Sequence, residues 1–178
     1  PLTLEVGDDS IQAGFIVVAS GSEPMKLPIN GSENMITSND FLDLDHLPDR
    51  LALIGGGFIS FEFAHFAARL GSRPGSIHIL EAFDRVLKPF DSDMVDQLTA
   101  ASITDGINIH TNVRINEILK KDDHFQVISE NEAIEVDLVV NAAGRRPNIF
   151  SLNLETAGIE YSPRGINVDS SMKTSNKN

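Results

Sequence analysis

The 178-residue chain contains no cysteine, so it can form neither a disulfide framework nor a thiolate nucleophile. Positive charge is also scarce: 14 Lys and Arg stand against 26 Asp and Glu, a formal net charge of -12. No basic cluster rises from that acidic background, which argues against nucleic acid and against an anionic membrane surface as partners. No apolar run is long enough to span a bilayer, and no signal peptide is expected. Because it does not begin with methionine, the chain reads as a piece cut from a longer protein, and the expected location is the cytoplasm. The histidines, His46, His65, His78, His110 and His124, are scattered without ligand spacing or acid support, so no metal site is expected. Ser20, Ser22 and Ser60 lack the context of a nucleophile elbow, and no repeat at solenoid spacing occurs. At 178 residues the chain is one large domain or one domain with trimmings, and 41% hydrophobic residues are enough for a real core.

Residues 51–70, LALIGGGFISFEFAHFAARL, organise the rest. A short apolar run enters a triple glycine and leaves as an amphipathic segment, which predicts strand, tight turn and helix. Gly55, Gly57 and Ser60 occupy the three small positions of a G-x-G-x-x-G/A pattern. Gly55 makes the turn, Gly57 lets a pyrophosphate approach the backbone, and the small Ser60 lets helix and strand pack closely. The helix start then offers unpaired N–H groups and a positive dipole end to an anion. Along the helix, Ile59, Phe63, Phe66, Ala67 and Leu70 form the expected inner stripe, while Phe58, Glu62, His65 and Arg69 face elsewhere. Glu62 is either an ordinary solvated charge or a carboxylate near the cofactor end.

Residues 2–6 read as a strand, 7–9 as a turn, and the apolar run 15–21 as a buried strand. Pro24, Pro28 and Gly31 break the chain up to about residue 38, and Asn39 or Asp40 caps a helical turn ending at Leu44. After the glycine turn and its helix, residues 76–81 form a second strand closed by Glu81. At that point a nucleotide unit places the acid that accepts the adenosine ribose hydroxyls and repels a 2′-phosphate. The plain alternative for Glu81 is a strand-end surface acid, and nearby Arg85 is a group that can accommodate a phosphate. A helix over 91–104, with Met94, Val95, Leu98 and Ile103 inward, leads to a third strand at 107–110. Short strands at 113–119, 124–129 and 133–136 make an antiparallel meander, and 138–144 is a further buried strand. The fold class is therefore α/β: a Rossmann-like, three-layer arrangement of parallel sheet, helices and antiparallel meander.

Four stretches in this order, ASGSEPMKLP at 19–28, IGGGFISFE at 54–62, LEAFDRVLKPFD at 80–91 and NAAGRRPN at 141–148, resemble the pyridine nucleotide-disulfide oxidoreductases. That is the flavoprotein family of glutathione reductase, dihydrolipoamide dehydrogenase and mercuric reductase. The resemblance implies an NAD(P)H-binding domain set between two portions of an FAD domain. Residues 1–30 then correspond to an FAD-domain strand and linker, 31–148 to the NAD(P)-binding domain, and 149–178 to the return into the FAD domain. It implies cofactor-binding roles for Gly55, Gly57, Phe58 and Ile59 at the pyrophosphate turn. Phe58 stands where the family often has a tyrosine over the nicotinamide pocket. Glu62 matches a glutamate that pairs with a flavin-domain lysine, Glu81 the ribose acid, Val113 a residue near adenine, and Ala143 and Gly144 the loop by the nicotinamide. Arg145, Pro147 and Asn148 complete the last motif and serve domain geometry.

The implied function is to present NADH, with NADPH less favoured, for hydride transfer to FAD in the whole, homodimeric parent. The redox cysteines, catalytic histidine and dimerisation domain of such enzymes lie outside this sequence, so no catalytic residue is expected here and the isolated chain should be inactive. Two alternatives stay open: a flavoprotein of the NADH oxidase or peroxidase type, and a non-catalytic dinucleotide-binding module. The apolar segment 15–19, made to pair in an FAD domain, is an expected aggregation-prone edge.

Overall fold

The computed structural model describes residues 2–177, which divide into two compact units. One runs from Pro24 to Gly144, and the other combines the segments before and after it. In the flanking unit, β1 (Leu2–Val6) and β2 (Asp9–Ala13) form an antiparallel hairpin turned at Gly7, and β3 (Ser22–Pro24) follows.

The central unit contains β4 (Ile36–Thr37), α1 (Ser38–Leu42), β5 (Leu51–Ile54), α2 (Phe58–Leu70), β6 (Ile77–Leu80), α3 (Ser92–Thr104), β7 (Ile107–His110), β8 (Ile115–Lys120), β9 (Phe125–Ser129), β10 (Ala133–Val136) and β11 (Leu138–Asn141). Five of these strands form a parallel sheet in the order β4-β11-β5-β6-β7, and β10-β9-β8 form the antiparallel meander. Every residue of β5 is buried, as a central parallel strand covered on both faces requires. Alternation sorts its side chains. Leu51 and Leu53, with Ile77, Ile79 and Ile107, meet Phe61, Phe63, Ala64 and Ala67 of α2. Ala52 and Ile54, with Leu80 and Val139, meet Ile118, Val127 and Val136 of the meander. The layers are thus helix, sheet and meander. Asp137, between β10 and β11, clamps the entry to β5: its carboxylate accepts the Arg50 amide and the Arg50 Nε–H, both at 2.9 Å. Burial pushes that carboxyl up, but the Arg50 contacts outweigh it and hold it below the usual range. In the flanking unit, β12 (Arg145–Pro147) pairs with β3, and β13 (Tyr161–Ser162) with β14 (Gly165–Ile166).

Four expectations are corrected. The run 15–21 is not a buried strand: it is irregular, with Phe15 79% and Val17 87% exposed. An apolar segment becomes a strand only where a neighbour completes its ladder, and no described strand pairs with it. The cap of α1 is Thr37, not Asn39 or Asp40; Asp40 is the reciprocal member of a capping box. On α2 the buried residues are Ser60, Phe61, Phe63, Ala64 and Ala67, while Phe66 and Leu70 are exposed. On α3, Val95 and Ser102 are buried, and Met94, Leu98 and Ile103 are exposed.

The histidines are also less scattered than their spacing suggests. Across β6 and β7, His78 Nδ1 lies 3.1 Å from His110 Nε2, and His110 Nδ1 lies 3.4 Å from a Glu132 oxygen. Burial, and then the neighbouring His110, push the His78 pKa below its ordinary 6.5, with Glu132 pulling the other way. The unfolded chain therefore binds the proton more readily than the folded one, and stability falls as pH drops below 6.5 toward the lower folded value. His78→Gln is expected to remove part of that acid sensitivity in denaturation curves collected from pH 7.5 to 5. His65, lowered chiefly by burial, supplies a separate share and serves as an internal control. Equal pH slopes in native chain and variant would refute the assignment.

Candidate functional site

The chain leaves β5 toward β6 and β7 on one side, while β11 flanks β5 on the other. In open α/β sheets such a reversal, at the carboxyl ends of the strands, is where ligands bind, and the glycine turn sits at that end of β5. Gly55 donates its amide to the Leu80 carbonyl at 2.8 Å and has φ +107°. A Cβ on it would lie 2.6 Å from Ala143 Cα and 2.7 Å from the Ala142 carbonyl oxygen, so β5 and β11 touch through a glycine. Ser60 is fully buried, and its hydroxyl donates to the Gly55 carbonyl. Serine thus fills the third small position and also closes the turn.

Gly57 is the N-cap of α2, with φ -86° and no side chain to cap the helix. A Cβ there would meet nothing nearer than the Ala142 carbonyl oxygen at 4.0 Å. Among the described residues no group accepts the Gly57 amide. The first helical turn adds further N–H groups without intrahelical partners and the positive end of the helix dipole, an arrangement suited to an anion.

Glu81 stands one residue past β6. Its carboxylate accepts the Gly56 amide at 2.6 Å and the Phe83 amide at 2.9 Å, and its carbonyl accepts the Val113 amide at 2.9 Å. The structure therefore gathers Gly55, Gly57, Glu81, Val113 and Ala143 around the strand ends. Gly144 lies at the edge of this group, its carbonyl accepting the Met25 amide at 3.0 Å. Phe58 and Glu62 are exposed on α2, whereas Ile59 packs against the helix-side core. Sequence reasoning missed three participants. Gly56 and Leu87 are joined by a hydrogen bond from the Leu87 amide to the Gly56 carbonyl at 2.8 Å. Asn141 accepts the Ala143 amide at 3.2 Å and donates to the Met25 carbonyl at 2.8 Å, shaping the loop after β11. An amide side chain at the end of an otherwise apolar strand was the available signal for Asn141. In the flanking unit, Arg145 bonds to Ser22, Arg146 to Glu23 at 2.7 Å, and the Asn148 amide to the Gly21 carbonyl at 3.0 Å.

A parallel sheet with helices on one face, a meander on the other and a glycine turn at the switch point define a Rossmann-like α/β protein. The chain belongs to the pyridine nucleotide-disulphide oxidoreductases, whose family model matches residues 2–178. It is 34% identical to a dihydrolipoyl dehydrogenase of Bacillus subtilis over 96% of this chain and 37% of that protein. A glutathione reductase of Burkholderia cepacia is also 34% identical, over 98% of this chain and 39% of that protein. Among solved structures, the HOCl-induced flavoprotein disulfide reductase RclA from Escherichia coli superposes with a TM-score of 0.89 at 32% identity, covering 97% of this chain and 40% of that one. The chain spans about two fifths of the length of these relatives. No helix among the described residues is long and apolar enough to cross a membrane.

Proposed function

We propose that this chain is the NAD(P)H-binding part of an FAD-dependent pyridine nucleotide-disulfide oxidoreductase, with NADH preferred over NADPH. The observation that carries the reading is the glycine turn at the end of β5, where the Gly57 amide has no acceptor among the described residues and the Glu81 carboxylate accepts the neighbouring Gly56 amide. A nucleotide fits the donors present: the helix start and Gly57 take the pyrophosphate, and Glu81 takes the adenosine ribose hydroxyls. Val113 borders the adenine, and Phe58, Glu62, Ala143 and Gly144 border the nicotinamide half. When bound, the nicotinamide supplies a hydride; the chain's own task is to hold and orient the nucleotide. The flavin, the thiol pair and the dimer contacts belong to other parts of a parent protein, a cytoplasmic homodimer on this reading. With no cysteine of its own, the isolated chain binds NADH and turns nothing over.

Preference for NADH is supported by two features. A carboxylate at the ribose position repels a 2′-phosphate, and one terminal nitrogen of the Arg85 guanidinium donates to the Phe90 carbonyl of its own loop. Calorimetric titration with NADH and NADPH, repeated on Glu81→Ala, tests this. The native chain is expected to bind NADH more tightly, and the variant to narrow the gap by about tenfold, the scale of one charge-assisted contact. Equal affinities in the native chain would move the reading to an NADPH-linked parent, and binding of neither would overturn it.

A further inference from the structure

We infer that the main-chain amide of Leu87 is a positioning group for the pyrophosphate turn, an inference that rests on the nucleotide-binding reading above. Two peptide units join the three glycines of the turn between β5 and α2. In the first, the Gly55 carbonyl accepts the Ser60 hydroxyl and the Gly56 amide donates to Glu81 at 2.6 Å. In the second, the Gly56 carbonyl accepts the Leu87 amide at 2.8 Å, and the Gly57 amide has no acceptor among the described residues. The peptide is planar and trans, so its C=O and N–H point in opposite directions. Holding the Gly56 carbonyl therefore aims the Gly57 N–H away from the 82–90 loop. Leu87 sets the direction of a donor that it never touches.

The loop is built to deliver that amide. Leu87 has φ +49°, in the left-handed region that a leucine seldom occupies, and such a conformation persists only where the surroundings overdetermine it. Those surroundings are visible. The Leu87 and Val86 side chains are buried in the helix-side core. The Phe90 amide donates to the Leu87 carbonyl at 2.9 Å, Arg85 donates to the Phe90 carbonyl, and Lys88 pairs with Asp84 at 3.1 Å. Glu81 and Leu87 thus grip neighbouring peptide units of the turn, joining the ribose acid and the phosphate donor in one braced assembly.

The test compares two variants of the full chain. Leu87→Val branches at Cβ and resists the left-handed backbone, displacing the amide, whereas Leu87→Gly suits that backbone and keeps it in place. Each loses a buried leucine side chain, so packing alone predicts the glycine variant to be the weaker binder. The inference predicts the reverse: NADH and ADP bind Leu87→Val about tenfold more weakly than Leu87→Gly, the scale of one lost amide–phosphate contact. Adenosine, which has no phosphate, should not distinguish them. Equal ADP affinities in the two variants, with the native chain binding normally, would overturn the inference and leave the nucleotide reading intact. Failure of the native chain to bind NADH and ADP would overturn both. Should Leu87→Val not fold, amide hydrogen exchange on the native chain decides. The Leu87 amide should be protected in the free chain, and the Gly57 amide should gain protection only when ADP is added. A freely exchanging Leu87 amide would refute the assignment.

Discussion

Gly55→Ala is expected to destabilise the central unit by about 3 kcal/mol or more. Two costs add. At φ +107° a side chain is strained by about 1–3 kcal/mol before any contact is considered. Its Cβ would then lie 2.6 Å from Ala143 Cα and 2.7 Å from the Ala142 oxygen, which are backbone atoms of the adjoining strand end and cannot rotate aside. Relieving that overlap means parting β5 from β11 where Ala142 donates to the Ile54 carbonyl at 2.9 Å, and overpacking of this kind costs about 1–3 kcal/mol. For a domain whose whole margin is about 5–15 kcal/mol, the loss is a large fraction. Thermal unfolding of native chain and variant should differ by about 10 °C. A shift of only a degree or two would mean that the strand ends are not packed as described.

The same turn explains which features of the fold were legible in the sequence. Glycine spacing, apolar runs and an acid after the second strand are local signals, and the parallel sheet, the meander and the position of Glu81 follow from them. The inward face of α2 is not local. Ser60 must turn inward to reach the Gly55 carbonyl, and the residues three, four and seven positions on, Phe63, Ala64 and Ala67, are then carried to the sheet. Phe66 and Leu70, hydrophobic enough for the stripe, fall off that face. Hydropathy alone placed the stripe by composition; the turn places it by a hydrogen bond. Gly56 and Glu81 are 25 residues apart and His78 and His110 are 32 apart, pairings that only the adjacency of β5, β6 and β7 creates. The exposed run at Phe15 and Val17 failed in the opposite sense: the local signal for a strand was sound, and the ladder partner was missing.

Gly57→Ala should separate binding from folding at a position two residues from Gly55. Here φ is -86°, which alanine adopts without strain, and its Cβ would meet no protein atom nearer than 4.0 Å. Alanine is a poorer N-cap than glycine, so a loss of about 1 kcal/mol or less is expected in the unfolding curve. The new methyl instead occupies the open side of the turn, where, on the function proposed above, the pyrophosphate comes close to the Gly57 amide. Losing one or two amide–phosphate contacts should weaken NADH about ten- to a hundredfold. Calorimetry and thermal unfolding on the same sample measure both quantities. A variant that binds NADH as tightly as the native chain would show that the phosphates do not approach there. One that unfolds as readily as Gly55→Ala would show that the space beside Gly57 is not open. Opposite outcomes at Gly55 and Gly57 would assign the first glycine to the meeting of two strands and the second to the ligand.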